Sequence, residues 1–120
     1  MYQGIVMPLS DAVKQQVVSM LSAFCDRRVP AEIRGEVNHT FTFRGNSVTL
    51  YENRAQWLNR SQLIHMPIAQ FRLNPGNGEW TLYCADRNSR WHEYPEIAPT
   101  SHFDALLAEV DKDPTSIFFG

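Results

Sequence analysis

The chain has 120 residues, a formal net charge of −2, 43% hydrophobic and 20% charged residues, and two cysteines. That balance describes an ordinary globular protein, and the length suits one domain over 1–120 with a core that needs no disulfide staples. A negative total argues against a protein that coats nucleic acid by charge alone.

No apolar run reaches the length of a membrane span. The opening MYQGIVMPLS lacks the basic start and long apolar centre of a secretion signal, so a cytoplasmic protein without a membrane partner is expected. In that compartment Cys25 and Cys84 read as buried free thiols. Nine of the eleven bases are Arg, and from Glu96 onward five acids face one base. Arginine makes forked contacts and stacks on rings, so the bias suits either recognition or dense ion pairing.

In chain order, Ser10 and Asp11 offer a cap to a helix over 10–27, whose apolar positions Val13, Val17, Met20, Leu21 and Phe24 recur at helical spacing. Pro30 ends it. Residues 32–44 alternate, with Ile33, Val37, Phe41 and Phe43 inward. Gly45-Asn46 is a two-residue hairpin signal, which pairs Phe43 with Val48 and Phe41 with Leu50. Residues 54–66 read as a polar connection around Trp57 and Leu58, followed by a third strand from Ile68 to Leu73. The turn Asn74–Gly78 leads to strands at 79–85 and 90–94. Ser101-x-x-Asp104 opens a helix over 101–112 with Phe103, Leu106, Leu107 and Val110 on one stripe. Residues 113–120 form a turn and an apolar tail, Ile117 to Phe119, expected to dock on the helices or on a second copy. The class is α+β: helix, a five-stranded antiparallel meander over 32–94, helix.

A loop centred on Arg87-Asn88 sets Cys84 opposite Trp91 and Leu82 opposite Glu93, which places Trp80 and Trp91 in the core. The opposite face then gathers Arg34, Arg44, Tyr51, Arg72, Tyr83, Arg90, His92 and Tyr94, with threonines between them. Arginines beside tyrosines on an open sheet can hold phosphates and stack bases, or cover a protein contact. The same residues also serve as plain solvent-facing sheet surface. On the core side His39 opposes Glu52, with Arg54 and Asp86 as further members of a polar site. An imidazole beside a carboxylate can move protons, and it can equally be a satisfied buried pair.

No zinc-protease, phosphate-loop or serine-hydrolase motif occurs, and the four histidines share no metal spacing, so no metal and no cofactor is expected. The leading reading is a non-enzymatic binding module, with Arg44, Tyr51, Arg72, Tyr83, Arg90, His92 and Tyr94 meeting a protein or polyanionic partner. Self-association and weak binding of single-stranded nucleic acid both belong to that reading. The alternative is a small enzyme built on His39, Glu52, Arg54 and Asp86.

The stretches VTLYENR (48–54), FRLNPGNGEWTLYCADRNSRWHEY (71–94) and LLAEVDKDPTSIFFG (106–120) resemble a bacterial family known as domain of unknown function 3024. The likeness runs in order from about Cys25 to the end. It implies a small single-domain bacterial protein, and it carries no activity, cofactor or site residue.

Overall fold

A computed structural model describes residues 9–56, 58–59 and 61–119. Helix α1 spans Asp11–Arg28 and α2 spans Phe103–Lys112. Between them lie β1 (Val37–Arg44), β2 (Ser47–Ala55), β3 (Leu63–Asn74), β4 (Glu79–Ala85) and β5 (Trp91–Glu93), antiparallel and neighbours in chain order. Val17, Leu21 and Phe24 of α1 and Phe103, Leu106 and Val110 of α2 join Val48, Leu50, Phe71 and Leu82 in one core cluster. Those sheet residues share one parity, so both helices back the same face, and among the described residues the other face carries no helix.

Helix α1 starts as read, with Ser10 Oγ accepting from the Val13 N–H at 3.2 Å. Its far end is closed by a residue expected elsewhere. Arg34 donates to the Val29 carbonyl at 3.0 Å and the Asp26 carbonyl at 2.9 Å. Ala31–Ile33 forms a 3₁₀ turn after Pro30, Ile33 is 44% exposed, and the strand begins only at Val37. The expected inward Ile33 and outward Arg34 are therefore corrected: the proline sets a tight turn, and arginine neutralises helix-end carbonyls. At α2 the N-cap is His102, without a side-chain bond, so the expected Ser101 capping box does not form. Its C-cap is Asp113 at φ 46°, whose carboxylate accepts from the Phe118 N–H at 3.0 Å and the Phe119 N–H at 2.8 Å. That one side chain folds the tail back: Phe118 enters the core and Phe119 packs against it, while Ile117 stays half exposed.

The β1–β2 hairpin has the expected register, Phe43 with Val48, Phe41 with Leu50 and His39 with Glu52. Strand β3 departs from the reading. It starts at Leu63, five residues before Ile68, and Ile68 forms a bulge between the pairs Leu50–Ala69 and Tyr51–Pro67. Proline has no ladder N–H and the bulge breaks the alternation, which disguises the first half of the strand as a loop. The last β3–β4 pair is Ala69–Cys84, so among the described residues Leu63–Pro67 pair with β2 alone. Leu63, Ile64 and Met66 there are 54%, 46% and 45% exposed. Trp57 lies outside the described residues.

The β4–β5 hairpin is slipped by one residue from the expected register: Cys84 faces His92 and Ala85 faces Trp91. Asp86 closes the loop, its N–H donating to the Arg90 carbonyl at 2.9 Å, and Ser89 sits at φ +62°. Three residues thus bridge the strands, a turn ending in a left-handed residue, instead of the two assumed. A one-residue change reverses every side chain that follows. Trp91 goes to the outer face beside Ala85, and Tyr94 is buried to 2% exposure.

Candidate functional site

On the outer face the registers build cross-strand rows. Arg44 pairs with Ser47, Ser47 with Arg72, and Arg72 with Thr81. The next row is Thr42, Thr49, Gln70, Tyr83 and Glu93. Beyond the bulge follow Tyr51 with Thr40 and Pro67, then Asn53 with Asn38 and His65.

Side-chain bonds lock this surface. Gln70 Nε2 donates to Thr49 Oγ1 at 2.8 Å, and Arg72 Nε donates to Gln70 Oε1 at 2.6 Å. The Arg72 guanidinium lies 3.8 Å from the centroid of the Tyr83 ring. Stacking and the single Nε–H bond together restrain its plane, and neither uses its two terminal nitrogens. Arg44, Gly45, Asn46, Ser47, Gln70 and Arg72 line a shallow cavity of about 440 Å³ with no carboxylate in its wall. Glu79 is one row beyond Arg72, paired across to Asn74, and accepts from Asn77 Nδ2 at 3.3 Å. At the other end Asn53 is buried and donates to Asn38 Oδ1 at 3.0 Å and Thr40 Oγ1 at 2.9 Å, while its carbonyl oxygen meets His65 Nδ1. His65 in turn stacks on Tyr51 with ring centroids 4.0 Å apart.

Of the seven residues expected to meet a partner, Arg44, Arg72, Tyr51 and Tyr83 share this face. Tyr94 does not: it faces the helices, donates to Glu109 Oε2 at 2.8 Å and packs on Phe118. His92 and Arg90 converge instead on Asp86, at 2.8 Å and 3.6 Å. The His92 hydrogen bond and the loop N–H groups of Arg90 and Asn88 hold the Asp86 carboxyl down to about 2. Sequence reasoning missed His65, Gln70 as the brace of Arg72, and Trp91. Gln70 sits at the right parity to be found, whereas His65 was hidden with the first half of β3.

The core-face polar group is real in part. His39 Nε2 is 3.4 Å from Glu52 Oε1, and Arg54 Nε donates to Glu52 Oε2 at 2.6 Å. Asp86 is not with them, being bound to its own loop. The imidazole is only 3% exposed, set edge-on to Phe24 and Phe119, and neither ring nitrogen has a well-formed hydrogen bond. Burial pushes its pKa below the usual histidine value, Glu52 opposes this, and the charges of Arg28 and Arg54 add to it. Arg28 closes the group, its guanidinium 3.8 Å from the Phe119 ring centroid and bonded to Asp111 at 3.0 Å. Such a neutral imidazole walled by rings packs like an aromatic side chain.

Among the described residues no cluster of His, Cys, Asp and Glu could hold a metal, and no helix is long and apolar enough to cross a membrane. Neither the curated proteins nor the solved structures contain a match. A family match does exist, and it covers residues 9–120, which takes in both helices, the whole sheet and the folded tail. The chain belongs to the family described as domain of unknown function 3024 (DUF3024).

Proposed function

We propose that the protein is a binding module whose helix-free sheet face receives an anionic partner. One observation carries this reading: Arg44 and Arg72 stand in a single cross-strand row around a cavity without carboxylates, and Arg72 is pre-oriented by Gln70 and Tyr83. A guanidinium whose plane is already fixed loses little freedom on binding, so its charge-assisted bonds go to the ligand. The burial of His39 weighs against the enzyme reading, because its nitrogens leave no room for a substrate. Single-stranded nucleic acid is the anion to try first. The negative total charge and the few available arginines make that binding weak and dependent on salt.

Titration of a labelled single-stranded oligonucleotide at low ionic strength tests the reading. Affinity should fall with salt at a log–log slope of about −0.7 per phosphate contacted, so about −1.4 for two contacts. Arg72→Ala should abolish most of it. Binding that ignores this variant removes the outer face as its site, and no binding at high micromolar protein removes single-stranded nucleic acid as the anion.

A further inference from the structure

The Arg44–Arg72 corner has a more specific chemistry, which rests on the binding face just proposed: we infer that it is a site for a terminal phosphate group, a phosphomonoester dianion. Neighbouring strands lie about 4.8 Å apart, so the backbones of Arg44 and Arg72, two strands apart, are separated by about 10 Å. The short Ser47 stands between them in the row, and Gln70 and the Gly45-Asn46 turn complete the lining of the cavity. Two guanidinium charges facing one gap match two negative charges on one ligand atom cluster. An internal phosphodiester carries one charge on two free oxygens, whereas a phosphomonoester presents three oxygens and up to two charges, enough to accept a fork from each arginine. The cavity is shallow, so the rest of the ligand projects into solvent and is not selected. The nearby opposing charges are Glu79, one row past Arg72, and Glu93, paired across from Tyr83; neither lines the cavity, so they tune the site and do not fill it.

The test uses the full chain, ¹⁵N-labelled, titrated with inorganic phosphate at low ionic strength with chloride as the control anion. Amide shifts should saturate and cluster at residues 44–47 and 70–72. Arg44→Gln, at an exposed position where folding is not at stake, should weaken binding about tenfold, as loss of one charge-assisted fork does. Glu79→Gln should strengthen it about twofold. Arg72→Lys keeps the charge but loses the fork and should resemble Arg44→Gln.

A second arm compares a short oligonucleotide bearing a 5′-phosphate with its 5′-hydroxyl twin. Preference for the phosphorylated strand, lost in Arg44→Gln, supports a terminal phosphate on a nucleic acid. Saturable phosphate binding with neither strand bound supports the site for small phosphorylated ligands and removes nucleic acid. Equal binding of both strands without a phosphate response overturns the monoester site and leaves the anion-binding face standing. Failure of every probe overturns both, as do shifts scattered over all the cationic residues.

Discussion

The two faces of the sheet are ordered by different interactions. On the helix-backed face Val48, Leu50, Ala69 and Phe71 have no exposed surface, and order comes from displaced water and close packing. On the open face, order comes from a chain of side-chain bonds through Arg72, Gln70 and Thr49, and from another through His65, Asn53, Asn38 and Thr40. Bonds of the second kind add little net stability because water offers the same partners in the unfolded chain. They do fix where each polar group points. The contrast separates what keeps this protein folded from what it has left to recognise a partner.

The sharpest break of that comparison uses the two tryptophans of one hairpin. Trp80 is 4% exposed and packs edge-on to Phe103, while Trp91 lies on the open face. Trp80→Ala should therefore cost about 3–5 kcal/mol in urea unfolding, and Trp91→Ala less than about 1 kcal/mol. Equal losses would return Trp91 to the core and refute the slipped register. Next in size is Asp113→Ala, which removes both acceptors holding the tail. It should cost about 1–2 kcal/mol and make the C-terminal residues the first cleaved in limited proteolysis. An unchanged cleavage pattern would mean that the tail is held by its rings alone.

The pH dependence sharpens the picture at the edge of the core. His39 has a folded pKa below its unfolded value of about 6.5, so the folded state holds fewer protons there. Stability should be full above that pH and decline as pH falls through it toward the folded value. His39→Leu should flatten the decline between pH 7 and 5, and an unchanged slope would place its cause in another group. Smallest of all, Thr42→Ala on the open face should shift stability by no more than about 0.5 kcal/mol. A larger loss would show that the polar rows carry more of the fold than the comparison allows.

Much of this was legible from periodicity. The pairing of Phe43 with Val48, the helical stripes, and the placing of Arg44, Arg72 and Tyr83 away from the core all follow from spacing and one Gly-Asn turn. What failed did so where a single residue changes parity. The loop after Asp86 holds three residues because its carboxylate collects the N–H groups of Asn88 and Arg90 and Ser89 adopts a left-handed conformation. Aspartate at a loop start can form such a turn or leave the shorter one in place, and composition alone does not decide between them. The bulge at Ile68 hid the first half of β3, and with it the His65–Tyr51 stack. Arg34 was misplaced for a different reason: its role depends on carbonyls of the preceding helix, which no strand pattern contains.

The overhang of β3 beyond β4 sets how the molecule tumbles. Twelve residues at about 3.4 Å each make this strand about 40 Å long. It accounts for most of a particle that measures 50 × 28 × 27 Å. A body of that shape rotates faster about its long axis than across it. Antiparallel ladder N–H bonds lie perpendicular to their strands, so every amide of β2 and β3 is reoriented by both rotations. Their ¹⁵N relaxation rates should accordingly form a narrow band, apart from amides that point along the strand direction, and the spread between the two groups measures how elongated the particle is in solution.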